Sequence, residues 1–341
     1  MSHGRFEDPV SAALAGFLDL FRKQPLAERL TEADRYDGRT VLITGANSGL
    51  GFALAVEAAR RDGSVLMACR SGHPDAGVAV RAASGAGSAR VAMRHLDLSD
   101  LDSLHAFVDG LVRDGIVVDV LFLNAATTLP EARRTRSGQD EMFLVNYLAN
   151  FVLVNLLLDR GILLPGRPDS RIIFISSDSH QGASAIDYTE FGRFFAYGVR
   201  KAIANYSYFK LLLNTFAMEL ARRLDGGDTR LAVHVICPGP VNTNIIKEAP
   251  PLLRMVLRAI FTVIFAAPAK AARAPIYLSL SGDYEGRTGD YLHMFAAKRM
   301  DPKVYDVEAG RKLWDASLAL WKSVDVRARE GVPSAGMAAH P

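Results

Sequence analysis

The chain has 341 residues, of which 49% are hydrophobic and 23% charged, and its formal net charge is +3. This composition is typical of a globular protein with a large core and excludes a disordered chain. The small net charge, without a dense basic run, argues against a nucleic-acid partner. The two cysteines, Cys69 and Cys237, exclude a disulfide framework and favour a cytoplasmic location. The histidines and cysteines lack metal-ligand spacing, so we expect no metal.

Residues 1–37 are predicted to form an amphipathic N-terminal arm. Within it, apolar residues between Val10 and Phe21 recur on one helical face. This run is too short for a membrane span, which needs about 20 apolar residues. We expect the arm to pack on the protein, and contact with a membrane surface or formation of a homodimer are the open alternatives.

From residue 39 onward, short apolar strands alternate with amphipathic helices. Strands are expected at residues 39–44, 64–69, 90–95, 119–124, 171–176, 231–237 and near 289–294. Apolar strands separated by helices indicate a parallel sheet that is covered on both faces. The prediction is an α/β, Rossmann-like, doubly wound fold over residues 38–300, with a mostly parallel seven-stranded sheet. A C-terminal helix at 301–325 and a flexible tail at 326–341 follow.

The first strand runs directly into the sequence T-G-A-N-S-G-L-G, residues 44–51. Glycines allow a tight turn and a close approach of the backbone to a ligand. The helix that follows directs its free N–H groups and the positive end of its dipole at this loop. This combination, placed between a first strand and a first helix, predicts a site for a dinucleotide phosphate.

Arg70 follows the second strand at the position that lies beside the adenosine ribose in this type of fold. A carboxylate there would bind the ribose hydroxyls of NAD, whereas an arginine favours a 2′-phosphate. The sequence therefore favours NADP(H), with NAD as the less favoured cofactor.

A tyrosine and a lysine four residues apart occur twice, as Tyr197 with Lys201 and as Tyr206 with Lys210. Side chains at this spacing share one face of a helix. A periodic, uninterrupted helical pattern continues after Lys210, whereas the first pair lies in the segment that leads into this helix. We therefore favour Tyr206 and Lys210 as the reacting pair and expect Tyr197 to form a wall of the substrate pocket.

These motifs, in this order, resemble the short-chain dehydrogenase/reductase family, and in particular its retinol dehydrogenase-like branch. The resemblance extends over about residues 38–295. Beyond the glycine loop it is carried by H-L-D-L, L-N-A-A, V-N-Y-L, I-S-S-D-S-H and C-P-G-P-V-N-T. It implies that the catalytic residues are Ser177, Asn146, Tyr206 and Lys210. It also implies a set of cofactor-binding residues, to which Arg70 is added. This set consists of Gly45, Asn47, Ser48, Gly49, Leu50, Gly51, Asp97, Leu98, Asn124, Ala125, Tyr206, Lys210, Pro238, Gly239, Val241 and Thr243.

The resemblance implies interconversion of a ketone or aldehyde with an alcohol. Tyr206 would exchange the proton, and a nearby Lys210 ammonium together with the oxidised nicotinamide would lower its pKa. Ser177 would donate a hydrogen bond to the carbonyl oxygen, and Asn146 would hold a water that connects Lys210 with solvent. The apolar region 245–267 lies where the family has its substrate lid, which favours a lipophilic, polycyclic substrate. Its most apolar stretch, 252–265, is a second candidate for membrane contact.

The direction is expected to be reductive because Arg70 favours NADPH. Two alternatives stay open. One is a C=C reductase similar to protochlorophyllide reductase, suggested by the L-N-A-A segment. The other is a non-catalytic protein of the same fold that senses the cofactor.

Overall fold

A computed structural model describes residues 29–87, 90–165, 170–225, 231–239 and 268–331. The apolar part of the N-terminal arm, the expected lid at 245–267, Val241 and Thr243 lie outside the described residues. The strands within these ranges form one sheet in the order β3-β2-β1-β4-β5-β6-β7-β8. They are β1 (Thr40–Thr44), β2 (Ser64–Cys69), β3 (Val91–His95), β4 (Val120–Leu123), β5 (Arg171–Ile175), β6 (Ala232–Cys237), β7 (Tyr291–His293) and β8 (Ala296–Ala297).

The helices alternate with the strands along the chain. They are α1 (Gly49–Arg60), α2 (Asp75–Ser84), α3 (Leu101–Arg113), α4 (Glu141–Phe143), a π-helical turn (Leu144–Leu148), α5 (Ala149–Asp159), α6 (Val199–Leu224), α7 (Pro268–Leu280), α8 (Val307–Val324) and α9 (Val326–Gly331). Adjacent strands from β3 to β7 pair in parallel. Each parallel connection therefore carries the chain back over one face of the sheet.

Two hydrophobic clusters, one on each face of the sheet, form the core. One contains side chains of α3, α5, α6 and α8, and the other contains side chains of α1, α2 and α7. Alternate residues of the central strands contribute to opposite clusters, as Leu42 and Ile43 of β1 do. This arrangement confirms the predicted doubly wound α/β fold.

The terminal helix α8 completes the first of these clusters. Trp314 packs against Phe151 of α5, with ring centroids 5.1 Å apart. Trp321 is 1% exposed, and its indole donates a hydrogen bond to Asp325, which is also bonded to His105 of α3. The two tryptophans are therefore core residues.

The structure differs from the sequence expectation at two points. A two-residue eighth strand, β8, pairs antiparallel with β7, and it is too short to give a periodic signal. Residues 326–331, expected to begin a flexible tail, form α9, in which Ala328 is buried against the core.

Within the part of the chain that the structure describes, one helical stretch, Glu141–Asp159, is long and apolar enough to cross a membrane. Most of its residues are buried inside the protein, and Phe151 packs against Phe216 of α6. In this fold the stretch is a core helix.

Candidate active site

A cavity of about 430 Å³ opens at the carboxyl ends of the central strands. Its centre lies between β1 and β4, where the strand order reverses, and this is the position at which doubly wound folds bind ligands. Residues from both sides of this point line the cavity. Those predicted from the sequence are Gly45, Asn47, Ser48, Gly49, Leu50, Gly51, Arg70, Asp97, Leu98, Asn124, Ala125, Ser177, Tyr206, Lys210, Pro238 and Gly239.

The loop between β1 and α1 has the geometry of an anion site. Gly45 and Gly49 have φ angles of +66° and +57°, which other residues rarely adopt. A Cβ atom on Gly51 would lie 2.3 Å from the carbonyl oxygen of Gly45, so only glycine fits there. Ser48 occupies the N-cap position, but within the described part of the chain its side chain caps none of the helix N–H groups. These donors and the helix dipole suit a phosphate.

Thr44 connects the two central strands beneath this loop. Its hydroxyl oxygen accepts hydrogen bonds from the backbone N–H groups of Asn124 (2.9 Å) and Ala125 (3.0 Å). The amide of Asn124 donates back to the carbonyl oxygen of Thr44 at 2.9 Å. Asn124 and Ala125 therefore fix the glycine loop against β4, and Thr44, absent from the predicted set, is part of the same network.

The end of the cavity beside β2 and β3 carries opposite charges. The guanidinium of Arg70 is 62% exposed and lies 3.6 Å from the carboxylate of Glu141 at the start of α4. Asp97 directs one carboxylate oxygen at its own loop, where it accepts hydrogen bonds from the N–H (2.9 Å) and the hydroxyl (2.6 Å) of Ser99. Glu141 also lines the cavity. The sequence did not indicate it, because it is distant in sequence from every motif at this end.

Ser177, Tyr206 and Lys210 line the other end of the cavity. Tyr206 and Lys210 lie one turn apart on α6, and the Lys210 Nζ atom is 5.7 Å from the centre of the Tyr206 ring. Lys210 is 2% exposed and donates a hydrogen bond of 2.9 Å to the carbonyl oxygen of Ile175 at the end of β5. Ser177 follows β5, and its hydroxyl oxygen accepts from the N–H of Ser179 at 3.3 Å. The structure thus brings together three of the four predicted catalytic side chains.

Burial dominates the ionisation of this pair. Loss of hydration raises the pKa of Tyr206 and lowers the pKa of Lys210 to about 8. The sequence predicts a lower pKa for the phenol when both the ammonium and the oxidised nicotinamide lie beside it, and for the cofactor-bound site this stays a prediction. In this cofactor-free arrangement the Lys210 ammonium donates to the Ile175 carbonyl oxygen. The cost of burying a charged phenolate therefore exceeds the stabilisation that the ammonium gives it.

Asn146, the fourth predicted residue, is fully buried in the π-helical turn. Its side chain accepts from the N–H of Thr127 at 2.9 Å and donates to the carbonyl oxygen of Thr127 at 2.8 Å. A π turn displaces the normal backbone hydrogen bonds of a helix. The side-chain amide of Asn150 donates to the carbonyl oxygen of Val145 at 3.0 Å. Asn146 therefore holds the cavity wall at Thr127, and its water relay stays a prediction.

Tyr197 takes a different position from Tyr206. It lies just before α6, and its hydroxyl donates to Asp140 over 3.5 Å. Burial and the Asp140 carboxylate raise its pKa. Among the described residues that line the cavity, Tyr206 is present and Tyr197 is not. The expected lid at 245–267 lies outside the described residues, so a role for Tyr197 as a wall of the substrate pocket stays a prediction. Lys201 is exposed in the first turn of α6.

The loop after β6 closes the cavity from the opposite side. Pro238 and Gly239 line it, and Gly239 has a φ angle of +81°. Cys237, at the end of β6, also contributes to the lining. The sequence indicated Cys237 as a buried strand residue, and its contact with the cavity follows from its place directly before the Pro-Gly turn.

A sheet of this order with a glycine loop between β1 and α1 defines a dinucleotide-binding α/β protein. The family model for short chain dehydrogenase matches residues 39–189. Mouse (Mus musculus) retinol dehydrogenase 14 is 37% identical over 292 residues, which cover 82% of this chain and 85% of that protein. The chain belongs to the short-chain dehydrogenase/reductase family and, within it, to the retinol dehydrogenase-like branch, as the motifs predicted.

Other similar proteins agree with this assignment. Bovine (Bos taurus) dehydrogenase/reductase SDR family member 13 is 33% identical, over 83% of this chain and 73% of its own length. A crystal structure of an uncharacterized protein from Mycobacterium Paratuberculosis is 29% identical, covers 86% of this chain and 97% of that chain, and has a TM-score of 0.64. The NADP-bound structure of angucycline C-6 ketoreductase LanV, 24% identical with a TM-score of 0.58 over 75% of this chain and 93% of that chain, has the same fold.

Proposed function

We propose that this protein is an NADP(H)-dependent oxidoreductase that interconverts a ketone or aldehyde with an alcohol on a lipophilic molecule, acting mainly in the reductive direction. One observation carries the proposal. Ser177, Tyr206 and Lys210 line the same cavity as the phosphate loop, so that reacting groups and cofactor site are continuous. The similar proteins named retinol dehydrogenase support an alcohol or carbonyl substrate.

The cofactor fits the residues present. The glycine loop and the first turn of α1 would hold the pyrophosphate, and Lys210 would bind the nicotinamide ribose. Bound here, the nicotinamide would supply or accept the hydride. The Ser177 hydroxyl would donate to the substrate oxygen as negative charge develops on it. Tyr206 would give that oxygen its proton, because a neutral phenol is the stable form in this buried position.

Arg70 supports NADP(H) over NAD. Its guanidinium lines the cavity at the end of β2 and is paired only loosely, at 3.6 Å, with Glu141. A long ion pair with so exposed a guanidinium contributes about 0–1 kcal/mol. A 2′-phosphate would offer Arg70 a stronger, charge-assisted bond, so exchanging Glu141 for the phosphate is favourable.

A lipophilic substrate is supported by the surface at the start of α6. Val199 and Ile203 are each 60% exposed and lie one turn apart, directly before Tyr206, and Phe195 in the preceding loop is 43% exposed. Exposed apolar residues grouped beside a cavity are typical of a site for an apolar ligand. A cytoplasmic location, contact with a membrane and a homodimer stay predictions.

The test is turnover by the purified chain of a panel of hydrophobic aldehydes and ketones, including retinaldehyde, with NADPH or NADH. We expect oxidation of NADPH with an alcohol as the product, and loss of turnover in Tyr206→Phe. Turnover only of alcohols with NAD would contradict both cofactor and direction. A product reduced at a C=C bond would favour the alternative reductase. Cofactor binding without turnover of any panel member would favour the sensor.

A further inference from the structure

The carboxylate of Asp178, the residue after Ser177, is the centre of a buried polar cluster. Asp178 is 4% exposed. One carboxylate oxygen accepts from Gln181 at 2.8 Å and from the hydroxyl of Tyr291 at 2.6 Å. The other lies 3.1 Å from Nδ1 of His293 and accepts from Lys298. These bonds join the turn after Ser177 to β7 and to the residue that follows β8.

The cluster is held by charge. Burial opposes ionisation of Asp178, but His293 and Lys298 keep the pKa of this carboxyl well below its usual range. Burial also opposes protonation of His293, but Cys237 and Asp178 raise the pKa of this imidazole to about 10. At neutral pH one carboxylate is therefore shared by two cations, an arrangement in which loss of one partner is costly.

The backbone of Ser177 is held by the same turn. Its carbonyl oxygen accepts a 2.7 Å hydrogen bond from Nδ1 of His180, and Nε2 of that ring accepts from the N–H of Asp301 at 3.3 Å. Burial lowers the pKa of His180, so the ring stays neutral and can make both bonds. The short 3-10 helix Asp178–Gly182 is thus fixed by Asp178 towards β7 and by His180 towards Asp301.

We propose that Asp178 is a positioning residue for Ser177, through which β7 and the residue after β8 set the direction of the catalytic hydroxyl. The inference rests on the proposed function for its kinetic consequence. The phosphate loop and Arg70 lie at the other end of the cavity, after β1 and after β2, and within the described part of the chain they contribute no group to the hydrogen bonds and ion pairs of this cluster. Loss of Asp178 should therefore slow the chemical step and leave cofactor binding intact.

The first test compares Asp178→Asn with the charge-matched double variant Asp178→Asn/Lys298→Met. The double variant removes one charge of each sign, and the remaining His293 can become neutral by losing its proton. For both we expect kcat to fall roughly 10- to 100-fold, the effect of a small displacement of a reacting group, with the KM for NADPH unchanged. Asp290→Asn is the matched control, since this carboxylate just before β7 pairs with exposed Arg287, and it should keep the wild-type kcat.

The decisive comparison repeats the change in a Ser177→Ala background. If Asp178 acts through Ser177, Asp178→Asn/Lys298→Met should cause no further loss of kcat there. An equal loss in both backgrounds, or an unchanged kcat in the first comparison, would overturn the proposal. A crystal structure of the double variant tests the positioning independently of turnover. We expect the Ser177–Gly182 turn to be displaced, and an unmoved Ser177 hydroxyl would overturn the inference even if the proposed function itself failed.

Discussion

The Nζ atom of Lys210 lies 2.9 Å from the carbonyl oxygen of Ile175 and donates a hydrogen bond to it. This bond joins α6 to the end of β5, directly before Ser176 and Ser177. Lys210, the amine of the proposed reacting pair, therefore also holds α6 against the end of the strand that leads to Ser177. Because the amine is buried, this contact makes the stability of the fold dependent on pH.

Lys210 should make the protein more stable as the pH rises from about 8 towards 10. Its folded pKa of about 8 is below the unfolded value near 10.5, so the unfolded chain binds more protons in this interval and the free energy of unfolding rises with pH. The full effect is on the order of 3 kcal/mol. Above about pH 10 the raised pKa of Tyr206 acts in the opposite direction, because unfolding then releases a proton.

The measurement is the pH dependence of denaturant unfolding of the wild type and of Lys210→Met. Between pH 8 and 10 the free energy of unfolding of the variant should rise less with pH than that of the wild type, since methionine is similar in shape and has no titrating group. The comparison uses the difference in slope because His293, with a folded pKa of about 10, acts in the opposite direction in both proteins. Equal slopes for the two proteins in this interval would contradict the assignment of the rise to Lys210.

Tyr206 on α6 and Tyr197 just before this helix should differ sharply in their effect on turnover. Tyr206→Phe should reduce kcat by roughly 100- to 10,000-fold, which is the usual contribution of a general acid. NADPH binding, measured by cofactor fluorescence, should persist. Tyr197→Phe is the matched control and should keep most activity, because its hydroxyl is bonded to Asp140 outside the cavity lining. The reverse order of the two effects would refute the choice of Tyr206.

Arg70 should determine the preference for NADPH over NADH. Arg70→Ala removes a charge-assisted bond worth about 1.5–3 kcal/mol, so the Kd for NADPH should rise roughly 10- to 150-fold, with little change for NADH. Calorimetric titration with both cofactors gives the comparison. Glu141→Gln is the control on the opposite side of the pair, and it should not weaken NADPH binding, because it frees Arg70. If Arg70→Ala weakened both cofactors equally, Arg70 would not be the selecting residue.

Gly51 should tolerate no side chain. In Gly51→Ala the new Cβ would lie 2.3 Å from the carbonyl oxygen of Gly45 and 2.5 Å from Nδ2 of Asn124, so the loop must move away from β4. We expect loss of cofactor binding and a lower melting temperature, measured by calorimetry with and without NADPH. Gly110→Ala, at an open helical position in α3, should instead stabilise the protein by about 0.5–1 kcal/mol. A Gly51→Ala protein that bound NADPH normally would contradict this account of the loop.

The sequence predicted the fold well because each strand carries its own local signal. Every predicted strand is present, with ends that differ by only one or two residues. The side chains that line the candidate site could be located from the sequence for the same reason, since each lies close to a strand end or one helix turn from its partner. Ser177 is two residues beyond the end of β5, and Tyr206 and Lys210 are four residues apart on α6.

The interactions that sequence reasoning missed depend on the tertiary fold. Glu141 meets Arg70, and Asp178 meets His293 and Lys298, only because the sheet brings distant segments together. The residues of these three ion pairs are too far apart in the sequence for their spacing to reveal the contacts. The rise in the pKa of Tyr206 in the cofactor-free site could not be predicted for a related reason, since the degree of burial of the phenol depends on the complete fold.

The aromatic contacts between Trp314 and Phe151 have a practical consequence. The region that carries every motif ends before α8, yet the wide apolar side of α5 and α6 is covered by α8. A chain shortened after Tyr305 would contain all reacting groups but would expose Phe151 and Phe216 to water. Such a fragment should aggregate instead of working as a minimal enzyme.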